Sequence, residues 1–100
     1  MSAVPVELRA AVALELNRLV LGELPYLLHW ANNYGTEGAV LIEQPDEIWE
    51  HRHTDALRTD DGGWHVVIPL FTTTESPSDL SAEIIVDPMG NATLHDVHIL

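Results

Sequence analysis

The sequence contains no cysteine, no lysine and a single phenylalanine. No apolar run approaches the ~20 residues needed to span a bilayer. The lack of cysteine excludes disulfides, thiolate zinc centres, iron–sulfur clusters and a cysteine nucleophile. It suits a reducing compartment, so a cytoplasmic location is expected. The opening residues, Met1-Ser2-Ala3-Val4-Pro5, carry no basic stretch and soon reach Glu7 and Arg9, unlike a signal peptide. Because lysine is absent, positive charge rests on four arginines against sixteen carboxylates, a formal net charge of −12. Phosphate backbones and anionic membranes repel such a chain, so neither a nucleic acid nor a membrane is expected as partner. A basic protein would be attracted and steered. Solubility alone also accounts for a charge of this kind.

What remains is ordinary for a globular domain. Of the 100 residues, 46% are apolar and 20% charged. That is one domain, residues 1–100, with one core and little room for a deep cavity. There is no repeat, low-complexity tract or linker.

Periodicity predicts helices first and strands after. Pro5 to Leu21 reads as a helix, with Leu8, Val12, Leu16, Leu19 and Val20 on one face and Glu7, Glu15 and Arg18 opposite. Gly22 supplies its stop. A second helix is expected from about Pro25 to Tyr34, ended by Gly35, with Leu27, Trp30, Ala31 and Tyr34 on one face. Val40-Leu41-Ile42 fits a short strand or a packed loop, and Pro45-Asp46-Glu47 a turn. Strands are expected over Ile48–Leu57, Trp64–Phe71, Leu80–Asp87 and Ala92–Leu100, separated by turn-forming residues. Pro69 places part of its strand at an edge or a bulge. The expected fold is α+β: two N-terminal helices on one face of a four-stranded antiparallel meander, with a cone-like curved sheet as one version.

Histidine is the main candidate for chemistry, with six residues. In a strand, His51, His53 and Asp55 would share one face, a spacing able to chelate a metal through two imidazoles and an oxygen. A polar row without a metal is the commoner outcome for so short a pattern, and no cofactor is expected. Asp96 and His98 also share a strand face. His95 and His98 would not, unless a bulge intervenes. No serine sits in a G-x-S-x-G elbow, and there is no H-E-x-x-H and no phosphate-binding glycine loop, which leans against an enzyme. The polar connection Thr72–Asp79 can order itself through its own hydroxyls and is also a natural partner surface.

The C-terminal half carries Trp64-x-Val66-x-x-Pro69-Leu70-Phe71-Thr72, then Glu75, Ser78-Asp79-Leu80, and finally Asp96-Val97-His98-Ile99-Leu100. Together with Pro45-Asp46-Glu47, these residues resemble a small bacterial domain family of unknown function, of actinobacterial type. Its members follow W-x-V-x-x-P-L-(W/F)-T, S-D-L and D-x-H-(V/I)-L. Ser76-Pro77 departs from the family's Gly-rich or basic spacer. The resemblance implies a small intracellular α+β domain and no reaction.

Three functions fit these residues. The favoured one is a non-enzymatic protein-binding domain, such as an immunity- or antitoxin-like inhibitor or an adaptor for a basic partner. Asp60, Asp61, Glu75, Ser78 and Asp79 would contribute to its surface, with Trp49 and Trp64 as candidate anchors. The second is a small ligand-binding or hydrolytic domain with a pocket lined by Trp49, His51, His53, Trp64 and Tyr34. The third is a nucleic-acid mimic. A homodimer through the sheet is also expected to be feasible, because sheet edges need protection.

Overall fold

Pro5 ends an extended entry and starts the helix α1, Val6–Val20, where its missing N–H costs nothing. Leu8, Val12, Leu16 and Leu19 are buried along one stripe, as the spacing predicts. Gly22, at φ +79°, lets the chain reverse, and the Gly22 and Glu23 amides return to the Leu19 and Arg18 carbonyls. The structure, a computed structural model, describes residues 3–34 and 38–99. Gly35 and Leu100 lie outside the described residues, as does the side chain of Trp30.

The second helix does not form as one element. Pro25–Leu27 is a 3₁₀ turn and His29–Asn32 a single helical turn, with Leu28 between them at φ −93° and ψ 10°. The Leu27 and Leu28 amides bond three residues back, to Leu24 and Pro25, and the spacing of four resumes only at Asn32. This tighter winding still buries Leu24, Leu27 and Ala31. The architecture is therefore one full helix and a short helical segment over a sheet.

The four strands are β1 (Asp55–Arg58), β2 (Trp64–Pro69), β3 (Leu80–Val86) and β4 (Ala92–Ile99). They form an antiparallel meander in the order β1-β2-β3-β4. β1 and β4 are its open edges, so the sheet does not close into a cone. β1 is far shorter than the expected strand over Ile48–Leu57. Asp46–Trp49 is instead a 3₁₀ turn that buries Ile48. The His51–Thr54 turn follows, closed by the Thr54 amide on the His51 carbonyl and by the Thr54 hydroxyl on the Ile48 carbonyl. Val40–Ile42 is a packed loop with one bridge, Leu41 to Thr72. Gln44 clamps it, donating to the Ile42 and Phe71 carbonyls and accepting from the Phe71 amide. Pro69 is tolerated at the end of β2, beyond the last β1 partner, Asp55–Val67.

Val66 and Ile68 of β2, Leu80, Ala82, Ile84 and Val86 of β3, and Leu94 and Val97 of β4 are all buried with the α1 stripe. Each buried valine, leucine or isoleucine among them contributes about 1.5–3 kcal/mol relative to exposure. Leu94 and Val97 are three apart, yet both face the core. A bulge permits this: Glu83 pairs with Asp96 and Ile84 with Leu94, leaving His95 as the extra residue.

Glu15 corrects the amphipathic reading of α1. It is only 8% exposed, and its carboxylate accepts the Leu94 amide at 3.1 Å while Arg18 donates to it at 3.0 Å. The bulge frees that amide from the ladder, and Glu15 satisfies it.

The β3–β4 turn is organised by Asp87, which accepts the Asn91 and Met89 amides, both at 2.9 Å. These bonds, the Asn91 amide foremost, hold the Asp87 carboxyl below the usual aspartate range. A depressed folded-state pKa adds stability above the unfolded value and loses it as pH falls through the folded value. Asp87→Asn is therefore expected to lower the melting temperature at neutral pH. The difference from the parent should shrink as pH falls through the folded-state pKa of Asp87 and vanish in acid, where Asp87 is protonated in both states. Thermal unfolding across that range checks this.

Candidate functional site

The sheet has one covered face and one open face, and the pleat assigns residues to each. Opposite the core-facing set, register aligns three rows across the open face. One row is Asp55, Val67, Glu83 and Asp96. A second is Leu57, His65, Ile85 and Thr93. The third is Pro69, Ser81 and His98. No arginine occupies these positions. Arg58 instead stacks over Trp64 at 5.3 Å, and Arg9 lies 5.9 Å from the Trp49 ring. The fixed charges of the open face, Asp55, Glu83 and Asp96, are all carboxylates.

Glu83 is the hub. One oxygen meets His65 Nε2 at 3.0 Å and the other meets His98 Nε2 at 2.9 Å. Asp96 stands directly opposite across the strand pair and accepts the Val97 amide at 2.9 Å. Ligand atoms of Glu83, Asp96 and His98 all lie within 4.8 Å of one another. Two imidazoles and two carboxylates thus converge on the middle of the open face. Such a set can exchange protons, hold a cation or bind a basic group.

Beyond this cluster, His53, Pro69, Ser78, Asp79 and Ser81 line a shallow pocket of about 140 Å³. Ser81 is only 1% exposed, and its Oγ has no hydrogen-bond partner among the described residues. Ser81 and His98 are register partners, but no hydrogen bond joins them. Ser81 and His98 therefore do not form a serine–base pair.

The residues singled out from sequence fall in three places. Glu75, Ser78 and Asp79 lie in the connection between β2 and β3. Ser78 is buried: its hydroxyl donates to the Leu70 carbonyl at 2.7 Å and accepts the Leu80 amide. Thr72 accepts the Glu75 amide, so the loop is ordered by its own hydroxyls. The Asp79 amide donates to the Tyr34 hydroxyl at 3.2 Å. That amide favours the phenolate, but the Glu75 carboxylate, burial and the charges of Asp79 and Glu75 outweigh it and raise the Tyr34 pKa.

Asp60 and Asp61 occupy the β1–β2 turn, at the other end of β2, near Trp64. Asp61 accepts the Thr59 hydroxyl and the Gly63 amide, which hold its carboxyl below the usual aspartate range. Trp49 lies elsewhere again, on the helix side, beside a cavity of about 150 Å³ lined also by Leu16, Gln44 and Ile48. Of Trp49, His51, His53, Trp64 and Tyr34, expected to line one pocket, Trp49 lines this cavity and His53 the one beside Ser81.

His51 and His53 sit in a turn rather than a strand. Their rings lie 5.3 Å apart, but His51 Nδ1 accepts the His53 amide, and His51 also packs edge-on against Phe71. Among the described residues, three ligand atoms converge at Glu83, Asp96 and His98, not at His51, His53 and Asp55. Sequence reasoning placed Asp96 and His98 on one face and Glu83 outward, but did not bring them together or include His65. Strand alternation in β2 and β3 signals the outward side for His65 and Glu83, but in β4 the bulge at His95 breaks it, since Leu94, Asp96 and His98 would otherwise share one face.

No helix among the described residues is long and apolar enough to cross a membrane. No curated protein and no solved structure is matched by this chain. A family model does match it, over residues 7–100, and so takes in all of α1 but its first residue, all four strands and the whole open-face cluster. The chain belongs to that family, described as a domain of unknown function (DUF7668).

Proposed function

We propose that this domain is a non-enzymatic protein-binding domain, an inhibitor of the immunity or antitoxin kind or an adaptor, that takes a basic protein partner on the open face of its sheet. The open-face rows carry this reading: their fixed charges are all negative, and Leu57 and Ile85 flank His65 there, 55% and 39% exposed. Apolar side chains beside carboxylates that no arginine neutralises supply contact area and charge complementarity to a lysine- or arginine-rich surface. Acids also lie on α1 and in every turn, so they do not form a phosphate-like line, which disfavours a nucleic-acid mimic. Two open faces of like charge repel, so a homodimer would use a sheet edge instead. The cysteine-free composition supports a reducing setting such as a bacterial cytoplasm.

The test is capture from lysate of the native host at low and high salt, followed by affinity measurement with the isolated partner. A basic partner should be retained at low salt and released at high salt. Asp55→Arg and Leu57→Arg should each weaken binding about tenfold or more. Salt-independent binding, unaffected by either substitution, would sink the assignment.

A further inference from the structure

We propose that Glu83, Asp96 and His98 bind a divalent transition-metal ion of the zinc type, with His65 orienting Glu83 from outside the coordination sphere. This site does not depend on the partner reading.

The three ligand atoms lie within 4.8 Å of one another, and Glu83 is already 2.9 Å from His98 Nε2. A tetrahedral zinc ion with bonds of about 2.0–2.1 Å holds its ligand atoms about 3.3–3.4 Å apart. Small side-chain rotations close that gap, Glu83 and His98 being half-buried and Asp96 exposed. One imidazole and two carboxylates leave a position open for water or a ligand group. An imidazole in the set favours a first-row transition ion over magnesium or calcium.

Electrostatics points the same way. Glu83 and Asp96 are directly opposed across β3 and β4, an arrangement that destabilises a sheet when both are charged. No arginine stands among the open-face positions, and the sequence has no lysine. The nearest counter-groups are His65 and His98. A dication between the carboxylates turns repulsion into attraction. His65 then keeps its hydrogen bond to the far Glu83 oxygen, the arrangement in which an outer histidine fixes a ligating carboxylate. His98 presents its Nε2 lone pair to the ion, its proton passing to water or residing on Nδ1.

The scaffold is built for this placement. The bulge after Glu83 sets Asp96 opposite Glu83 and His98 opposite Ser81, while Leu94 and Val97 remain in the core. Glu15 pins the bulge from behind through the Leu94 amide. Ser81 independently marks the neighbourhood as a ligand site. It stands beside His98 in register and at the wall of the adjoining pocket, and its Oγ is buried with no hydrogen-bond partner among the described residues. A polar group so buried without a partner is uncommon.

The experiment is calorimetric titration of the full chain with Zn²⁺, with Ca²⁺ as the contrast, alongside NMR of the histidine rings. One Zn²⁺ per chain should bind, shifting the His98 and His65 signals, with no binding of Ca²⁺. Asp96→Asn, at an exposed position that leaves the fold intact, should weaken Zn²⁺ about tenfold or more, as should His98→Ala. His65→Ala should weaken it by about 10–100-fold. His51→Ala and His53→Ala should leave the affinity unchanged. Parental affinity in both Asp96→Asn and His98→Ala would overturn the site. So would shifts confined to His51 and His53, or no binding with Zn²⁺ in excess.

Discussion

Glu15→Ala is expected to cost about 2–3 kcal/mol of stability, although glutamate in the middle of an amphipathic helix normally reads as a surface residue. The cost follows from what the carboxylate satisfies. The bulge in β4 removes the Leu94 amide from the strand ladder, and Glu15 is the acceptor that replaces it. Alanine would leave that amide buried and unpaired, and would strip Arg18 of its 3.0 Å partner. The exposed Arg18 contributes little; the amide carries the effect. Glu15→Gln keeps an acceptor and should lose only about 1 kcal/mol. Urea unfolding with an unchanged slope, together with faster hydrogen exchange at Leu94, would confirm the assignment. Equal losses for alanine and glutamine would show that charge, not the amide, is what matters. Because the bulge also places Asp96 and His98, Glu15→Ala should disturb the open-face cluster from the opposite side of the sheet.

Gly63→Ala should be comparably severe, about 3 kcal/mol, for a purely steric reason. A Cβ at this position would stand 2.3 Å from the Val86 carbonyl oxygen. That atom is backbone at the end of β3, where the ladder to β2 begins with Trp64–Val86, so it cannot swing aside. Thr59 and Asp61 crowd the same space at 3.2 and 3.3 Å. Its neighbour Gly62 has the opposite problem. It adopts φ +90°, with only Pro88 nearby at 3.9 Å. Alanine there meets backbone strain in open space, at about 1–2 kcal/mol. Chemical denaturation should therefore rank Gly63→Ala well below Gly62→Ala. The reverse order would mean that conformation rather than packing governs this turn.

Elements with strong local periodicity are legible in the residue pattern. The stripe Leu8, Val12, Leu16 and Leu19 predicts α1, and alternation through Leu80, Ala82, Ile84 and Val86 predicts β3 and its core face. Two segments depart from their pattern for local reasons. Ile48–Leu57 alternates in polarity, but Pro45 and the Thr54 bonds coil most of it into turns. Pro25–Tyr34 has helical spacing, but 3₁₀ winding breaks it at Leu28.

Composition and periodicity were enough to set the charge of this protein's surface, the α+β order of its elements and, of the four residues His65, Glu83, Asp96 and His98, the outward direction of Glu83. Those properties depend on residue chemistry and on periods of 3.6 and 2, which are local. The meeting of these four residues is a tertiary property. Glu83 lies 18 residues from His65 and 15 from His98, so their contact requires both strand registers. A one-residue slip would turn one partner to the opposite face. The bulge that aligns Asp96 and His98 is in turn held by Glu15, 79 residues from Leu94 along the chain. Periodicity records which face a side chain takes, whereas register and long-range hydrogen bonds determine its neighbours.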